Sequence, residues 1–169
     1  MRKSYGWILL LWAALTLASG CAKEEIGNDF SLSEMEAEWA AAFYTGTDED
    51  GHRACYELDL TRGRIGEDLE LLSPGFVVHL IIGTDLPEEL ALPEGSYESL
   101  ECGDVIPYIS LLQHSAGREL RYPVEEGRLD VKRLEDGSYR LRAELQSTGR
   151  SFSLSYEGKL PTYDYTEPQ

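Results

Sequence analysis

Between Leu129 and Gly158 the chain repeats one grammar: an apolar–polar alternation of period two, broken by a tight turn signal. Leu129 and Val131 lead into Glu135-Asp136-Gly137. Tyr139, Leu141, Ala143 and Leu145 then alternate with Arg140, Arg142 and Glu144 before Ser147-Thr148-Gly149, after which Phe152, Leu154 and Tyr156 alternate up to Gly158. A helix would scatter these apolar side chains around its axis, whereas successive residues of a strand point to opposite faces. The Asp-Gly and Thr-Gly steps supply the backbone freedom that a hairpin turn demands. The segment must therefore pair as antiparallel hairpins with one wet face and one dry face, and the dry face requires a second layer.

The rest of the chain can supply that layer. Over Arg53 to Thr61, Ala54, Tyr56, Leu58 and Leu60 face in, and Arg53, Glu57 and Asp59 face out. Gly75 to Gly83 encloses Phe76-Val77-Val78-His79-Leu80-Ile81-Ile82, a nearly continuous apolar run expected of a strand covered on both faces. Leu92-Pro93-Glu94-Gly95-Ser96-Tyr97 reads as a turn entering a strand. Pro107 inside Asp104–Ser115 marks an edge strand, a crossover or a short helical turn. Segment 33–44 reads two ways. Ser33 and Glu36 fit a capping box with Met35, Trp39 and Ala42 on one helical face, while Ala37, Trp39, Ala41 and Phe43 alternate as a strand. The loop and strand that follow offer it a hairpin partner, so a strand is expected. Strands at this spacing without a long intervening helix predict an all-β fold, a single antiparallel β-sandwich or a small barrel.

The first twenty residues belong to a different category. Arg2 and Lys3 precede an apolar run from Trp7 to Ala18, which ends in small residues before Cys21. That is the three-part layout of a secretory signal peptide. Twelve apolar or small residues are too few to span a hydrocarbon core that needs about twenty. Ala18-Ser19-Gly20-Cys21 resembles the lipobox of bacterial lipoproteins, with Ala18 where that family most often carries a larger aliphatic residue. The resemblance implies cleavage before Cys21 and acylation of its sulfur and amine. The stretch Lys23-Glu24-Glu25 just behind it is similar to the export signal that sends lipoproteins of the Bacteroidota to the outer face of the outer membrane. The same residues also fit a charged, solvated tether, which would leave the protein on the periplasmic leaflet. The domains expected are thus a signal peptide at 1–20, a lipidated tether at 21–32, a β-sandwich at 33–160 and a C-terminal tail at 161–169.

The formal charge of −16 becomes −18 once residues 1–20, which carry Arg2 and Lys3 and no acids, are removed. Such a chain is a poor partner for nucleic acid, whose phosphates require a basic face. Anionic head groups would repel it too, so the acyl anchor must be what holds it at a membrane.

In an oxidising compartment Cys55 and Cys102 read as a disulfide or as two separate thiols. Cys55 falls on the face opposite Tyr56, beside Glu57 and Asp59, from which a bridge to a neighbouring strand or loop can form. No zinc-type cysteine or histidine spacing is present, and no metal or cofactor is expected. Thr47-Asp48-Glu49-Asp50-Gly51 resembles a fragment of a calcium loop but lacks the rest of the ligand series, and reads as a solvated hairpin loop.

No serine-elbow, zincin or phosphate-loop motif occurs. His79 lies in the most apolar strand and reads as a core or interface histidine, and His52 and His114 as solvated. Among the aromatic residues, Trp39, Tyr44, Tyr163 and Tyr165 are the candidates for stacking on a ligand, with Tyr108 and Tyr122 beside them; Tyr163 and Tyr165 are the pair expected to be exposed. The turn pattern resembles small β-sandwich lipoproteins of the Bacteroidota over roughly residues 36–160. That family is largely without an assigned activity, so the resemblance implies a fold and an address only. The functional expectation is a non-enzymatic binding or scaffolding lipoprotein outside the cell. A carbohydrate- or peptide-binding module of a surface uptake or adhesion system is the alternative, and an extracytoplasmic hydrolase comes third.

Overall fold

The computed structural model describes residues 31–166 apart from positions 68, 88, 103–104 and 114–115. The expected signal peptide at 1–20, Cys21, the Lys23-Glu24-Glu25 stretch and His114 lie outside the described residues.

The described chain is all-β, eleven strands in two packed sheets, with no helix among these residues. In chain order the strands are β1 (Met35–Glu36), β2 (Trp39–Thr47), β3 (Ala54–Arg62), β4 (Gly75–Thr84), β5 (Gly95–Tyr97), β6 (Tyr108–Leu112), β7 (Glu119–Pro123), β8 (Glu126–Arg133), β9 (Tyr139–Ser147), β10 (Arg150–Gly158) and β11 (Thr162–Asp164). One sheet has five strands in the order β1-β10-β9-β8-β5, and the other six in the order β11-β2-β3-β4-β6-β7. The architecture is the expected β-sandwich.

The hairpins of the first sheet follow directly from the alternation. Tyr139, Leu141, Ala143 and Leu145 on β9 and Phe152, Leu154 and Tyr156 on β10 are buried, as are Leu129 and Val131 on β8. Thr148 and Gly149 both take positive φ between the paired Ser147 and Arg150, as a two-residue primed turn requires. From the second sheet, Ala40, Ala42, Tyr56, Leu58, Leu60, Phe76, Val78, Leu80, Ile82, Ile109 and Leu111 meet them in one core. Each large aliphatic or aromatic side chain sealed there contributes about 1.5–3 kcal/mol.

Three expectations are corrected in detail. First, the sheets are mixed. β1 pairs parallel with β10, and β11 parallel with β2. The reason is that β1–β2 and β10–β11 are each a single run of chain that leaves one sheet and joins the other without reversing, so the two runs stay side by side in both layers. Second, residues 162–164, expected within a tail, are edge strand β11, held where the Ala42 N–H donates to Pro161 O and the Tyr165 N–H to Tyr44 O. Third, the Pro107 segment is not an edge. Tyr108–Leu112 lies between β4 and β7, and Pro107 sits one residue before the strand, where its missing N–H disturbs no ladder.

Segment 33–44 is strand, split into β1 and β2. The parity of β2 differs from the plain alternation: Ala40 and Ala42 face the core, Tyr44 packs against it, and Trp39 and Phe43 lie on the outer face. A bulge follows at once. The register with β3 slips between Tyr44 and Gly46, leaving Thr45 as the extra residue, and Gly46 sits at φ +111°.

Strand β4 is buried over its whole length, as the apolar run predicts. Its outer face is closed partly by the segment that passes from β5 to β6. There Cys102 is disulfide-bonded to Cys55, with Cα atoms 5.7 Å apart, and the pair packs on Ile81.

Candidate functional site

Two constellations on the outer face of the six-stranded sheet carry side chains capable of chemistry or recognition. The first is built on consecutive cross-strand partners: Asp59 on β3 faces His79 on β4, which faces Tyr108 on β6. His79 Nδ1 lies 2.7 Å from Asp59 Oδ1, and Nε2 lies 3.8 Å from Glu57 Oε2, two residues along β3. The imidazole stacks on Tyr108 with centroids 5.1 Å apart, and the Arg121 guanidinium lies over the same phenol ring at 3.4 Å from its centre. His79 is 7 % exposed and Asp59 5 %. Asp59 is thus not the solvated outward carboxylate that its place in the alternation suggests; the stacked rings seal it. Burial pushes the Tyr108 phenol above its ordinary range; Arg121 opposes that rise, and Asp59, Glu119 and Glu57 add to it.

An imidazole oriented by a carboxylate is two-thirds of a nucleophile-activating triad. Here Nε2, the atom that would take the nucleophile's proton, faces a second carboxylate instead of a hydroxyl or thiol. The arrangement braces β3, β4 and β6 together, in keeping with the reading of His79 as a core or interface histidine. Among the described residues no group of three or more His, Cys, Asp or Glu side chains is placed to hold a metal ion. In the loop that resembles a calcium-site fragment, Asp48 Oδ1 accepts the N–H groups of His52 and Arg53, closing the β2–β3 turn on itself.

The second constellation lies at the β2–β11 edge. Tyr163 is the register partner of Phe43. The two rings stack with centroids 5.5 Å apart and planes 21° from parallel, and Tyr165 stacks on the same Phe43 at 5.0 Å and 28°. These separations and tilts describe offset stacking, the arrangement aromatic quadrupoles favour. The tyrosines remain 48 % and 55 % exposed. Two local devices hold them there: the bulge at Thr45–Gly46 that bends β2, and the Asp164 carboxylate, which accepts from the hydroxyl and N–H of Thr166. Those two bonds hold the Asp164 carboxyl below its usual range, so it is anionic at neutral pH. Glu57 is the register partner of Phe43 on the other side and lies on the same outer face.

Of the sequence candidates for stacking, Tyr163 and Tyr165 come together. Trp39 does not join them. It sits four residues earlier on β2, half exposed, beside an open cleft lined by Ser138, Tyr156, Leu160 and Pro161. Tyr44 turns inward and packs against Tyr56 at 5.5 Å. Tyr108 and Tyr122 are likewise taken up by packing, against His79 and Phe152 respectively. Phe43, the ring on which both tyrosines rest, is the member not singled out from sequence, although the alternation Ala37, Trp39, Ala41, Phe43 places it on one strand face. No protein family, curated protein or solved structure matches the chain.

Proposed function

We propose that the protein is a non-enzymatic lipoprotein of the outer membrane, anchored through acyl groups on Cys21 and displayed at the cell surface, and that its sandwich binds a partner there. The observation that carries the binding part is the half-exposed Tyr163–Phe43–Tyr165 stack, an ordered aromatic surface on an edge where packing alone would favour a covered one. Its position suits presentation. The chain reaches the sandwich at Leu32, whose carbonyl accepts the Ser153 N–H, and then runs through β1 and β2 before Phe43. The eight residue-to-residue steps from Met35 to Phe43 advance on the order of 25 Å at strand rise, setting the rings well away from the point of attachment. The sequence basis for the address is Ala18-Ser19-Gly20-Cys21 followed by Lys23-Glu24-Glu25.

A narrower reading, a carbohydrate- or peptide-binding module of a surface uptake or adhesion system, draws on the same rings, because flat apolar ligand faces stack on exposed aromatics. Crosslinking on intact cells followed by pull-down tests both parts together. The wild-type protein is expected in the membrane fraction, open to external protease, and crosslinked to a partner that is lost in Tyr163→Ala/Tyr165→Ala. Cys21→Ser is expected to move the protein to the soluble fraction. Unchanged partitioning of Cys21→Ser refutes the anchor, and an unchanged crosslinking pattern in the tyrosine variant refutes the binding surface.

A further inference from the structure

Resting on the reading of the Tyr163–Phe43–Tyr165 stack as a binding surface, we infer that its ligand is cationic: a lysine-bearing peptide segment whose ammonium group lies over the tyrosine rings with Glu57 as counter-ion. Three observations converge on that chemistry. The first is the stack itself. Ring faces carry negative quadrupole density and attract ammonium groups, an attraction that grows as the cation is desolvated.

The second is what flanks the rings. Opposite residues on neighbouring strands have Cβ atoms roughly 5 Å apart, and Glu57 occupies that position beside Phe43 on the same face. Its side chain is partly open to solvent, and its other neighbour, His79 Nε2, stands at 3.8 Å, beyond a short hydrogen bond. Asp164, between the two tyrosines in sequence, is the register partner of the inward Tyr44, so it points to the other face of β11, where Thr166 occupies it, and Glu57 is the carboxylate beside the rings. The third concerns the cation that precedes β3. Arg53, one residue before that strand and four before Glu57, is engaged elsewhere, its Nη2 donating 2.9 Å to Gly83 O toward β4. An anionic ligand would meet the Glu57 carboxylate beside the rings, on a chain of net charge −16. A cationic segment would find aromatic faces and a counter-ion together, and the charge would speed its encounter.

Fluorescence anisotropy on the full chain in detergent, with labelled oligolysine and with an uncharged oligoglucan as parallel probes, tests this. Oligolysine is expected to bind and to lose affinity on the order of tenfold in Tyr163→Ala/Tyr165→Ala. Several-fold loss is expected in Glu57→Gln and little change in Asp164→Asn, whose carboxylate lies on the other face of β11, and binding weakens from low to physiological salt. Because Glu57→Gln also touches the His79 brace, its melting temperature is measured alongside, and Asp164→Asn removes one charge at the same edge but away from the rings; a loss there equal to that of Glu57→Gln means attraction to general acidity and overturns the counter-ion. Oligolysine binding unaffected by the tyrosine variant means attraction to general surface acidity and overturns the assigned site. Oligoglucan binding that needs the tyrosines, with none to oligolysine, overturns the cationic ligand and leaves the binding surface standing. Failure of both probes overturns the cationic ligand, while loss of the cellular crosslink in the same variant separately decides whether the surface binds anything.

Discussion

Breaking the Cys55–Cys102 bridge is expected to destabilise the whole sandwich, not only the segment it pins. The bond closes a loop of sequence separation 47. The chain-entropy relation for such a loop gives a loss of about 14 cal/mol/K in the unfolded state, or about 4 kcal/mol at 25 °C. Unfolding entropies near 2.1 cal/mol/K per residue over the roughly 130 described residues give about 0.27 kcal/mol/K, so the bridge corresponds to about 15 °C in melting temperature. The native side adds little, since the pair makes a small satellite cluster with Ile81 and alanine at both positions remains apolar. The assay is thermal unfolding of Cys55→Ala/Cys102→Ala against the oxidised wild type, with the reduced wild type as a check that the bond itself is responsible. Either single alanine variant should show nearly the full loss, because each breaks the same bond, so the three variants must be strongly non-additive. A double variant melting within about 3 °C of wild type would refute the reasoning, whose loop-closure term predicts several times that shift. It would mean that the loop is already constrained in the unfolded chain.

Three further outcomes follow from the packing and the titrating groups. Asp59→Ala should cost about 1–3 kcal/mol in chemical denaturation, because it strands the buried His79 Nδ1 that now meets Asp59 at 2.7 Å; Asp59→Asn, which keeps an acceptor oxygen, should cost clearly less, and equal losses would show that the bond does not brace the sheet. Burial pushes the Tyr56 and Tyr97 phenols up to about 12, with neighbouring tyrosines adding for Tyr56 and Asp85 and Tyr139 for Tyr97. The folded state therefore holds these protons where the unfolded chain has released them: stability is unaffected below pH 10 and falls between pH 10 and 12. Absorbance titration of the phenolates with parallel denaturation should show late-ionising tyrosines and a slope reduced in Tyr56→Phe, whereas a flat stability profile over that window would contradict the burial. Finally, Gly75→Ala should lower stability by about 1–3 kcal/mol, since a Cβ there would stand 1.9 Å from the Arg62 carbonyl oxygen, a backbone atom that cannot swing aside; a melting curve superimposable on wild type would show that this approach is loose.

How much of this was legible beforehand depends on which bonds carry the information. The β8–β9–β10 hairpins could be read because each partner is the next run of chain and alternation names the buried face. The double burial of β4 was legible for the related reason that Phe76–Ile82 offers no polar face except at His79. The candidate site has neither advantage. Ala40-Ala41-Ala42 gives no parity signal, because alanine is buried on both faces of β2, so nothing local says that Phe43 points outward while Tyr44 points to the core. The rings that rest on Phe43 come from the opposite end of the domain, in a stretch of Thr, Tyr and Asp that reads as a tail until β11 pairs with β2. The His79 brace was hidden in the same way: Asp59 and His79 meet only once β3 and β4 are in register, and each alone looks like a solvated carboxylate and a stray core histidine. In both constellations the decisive contacts are cross-strand ones between residues distant in sequence, on the face that alternation marks as the wet side. Period-two patterning sorts side chains between two faces but leaves open what covers the outer one. It is on that outer face, where stacked rings and carboxylates replace water, that this sandwich departs from a plain two-layer packing and carries the aromatic surface we propose as its binding face.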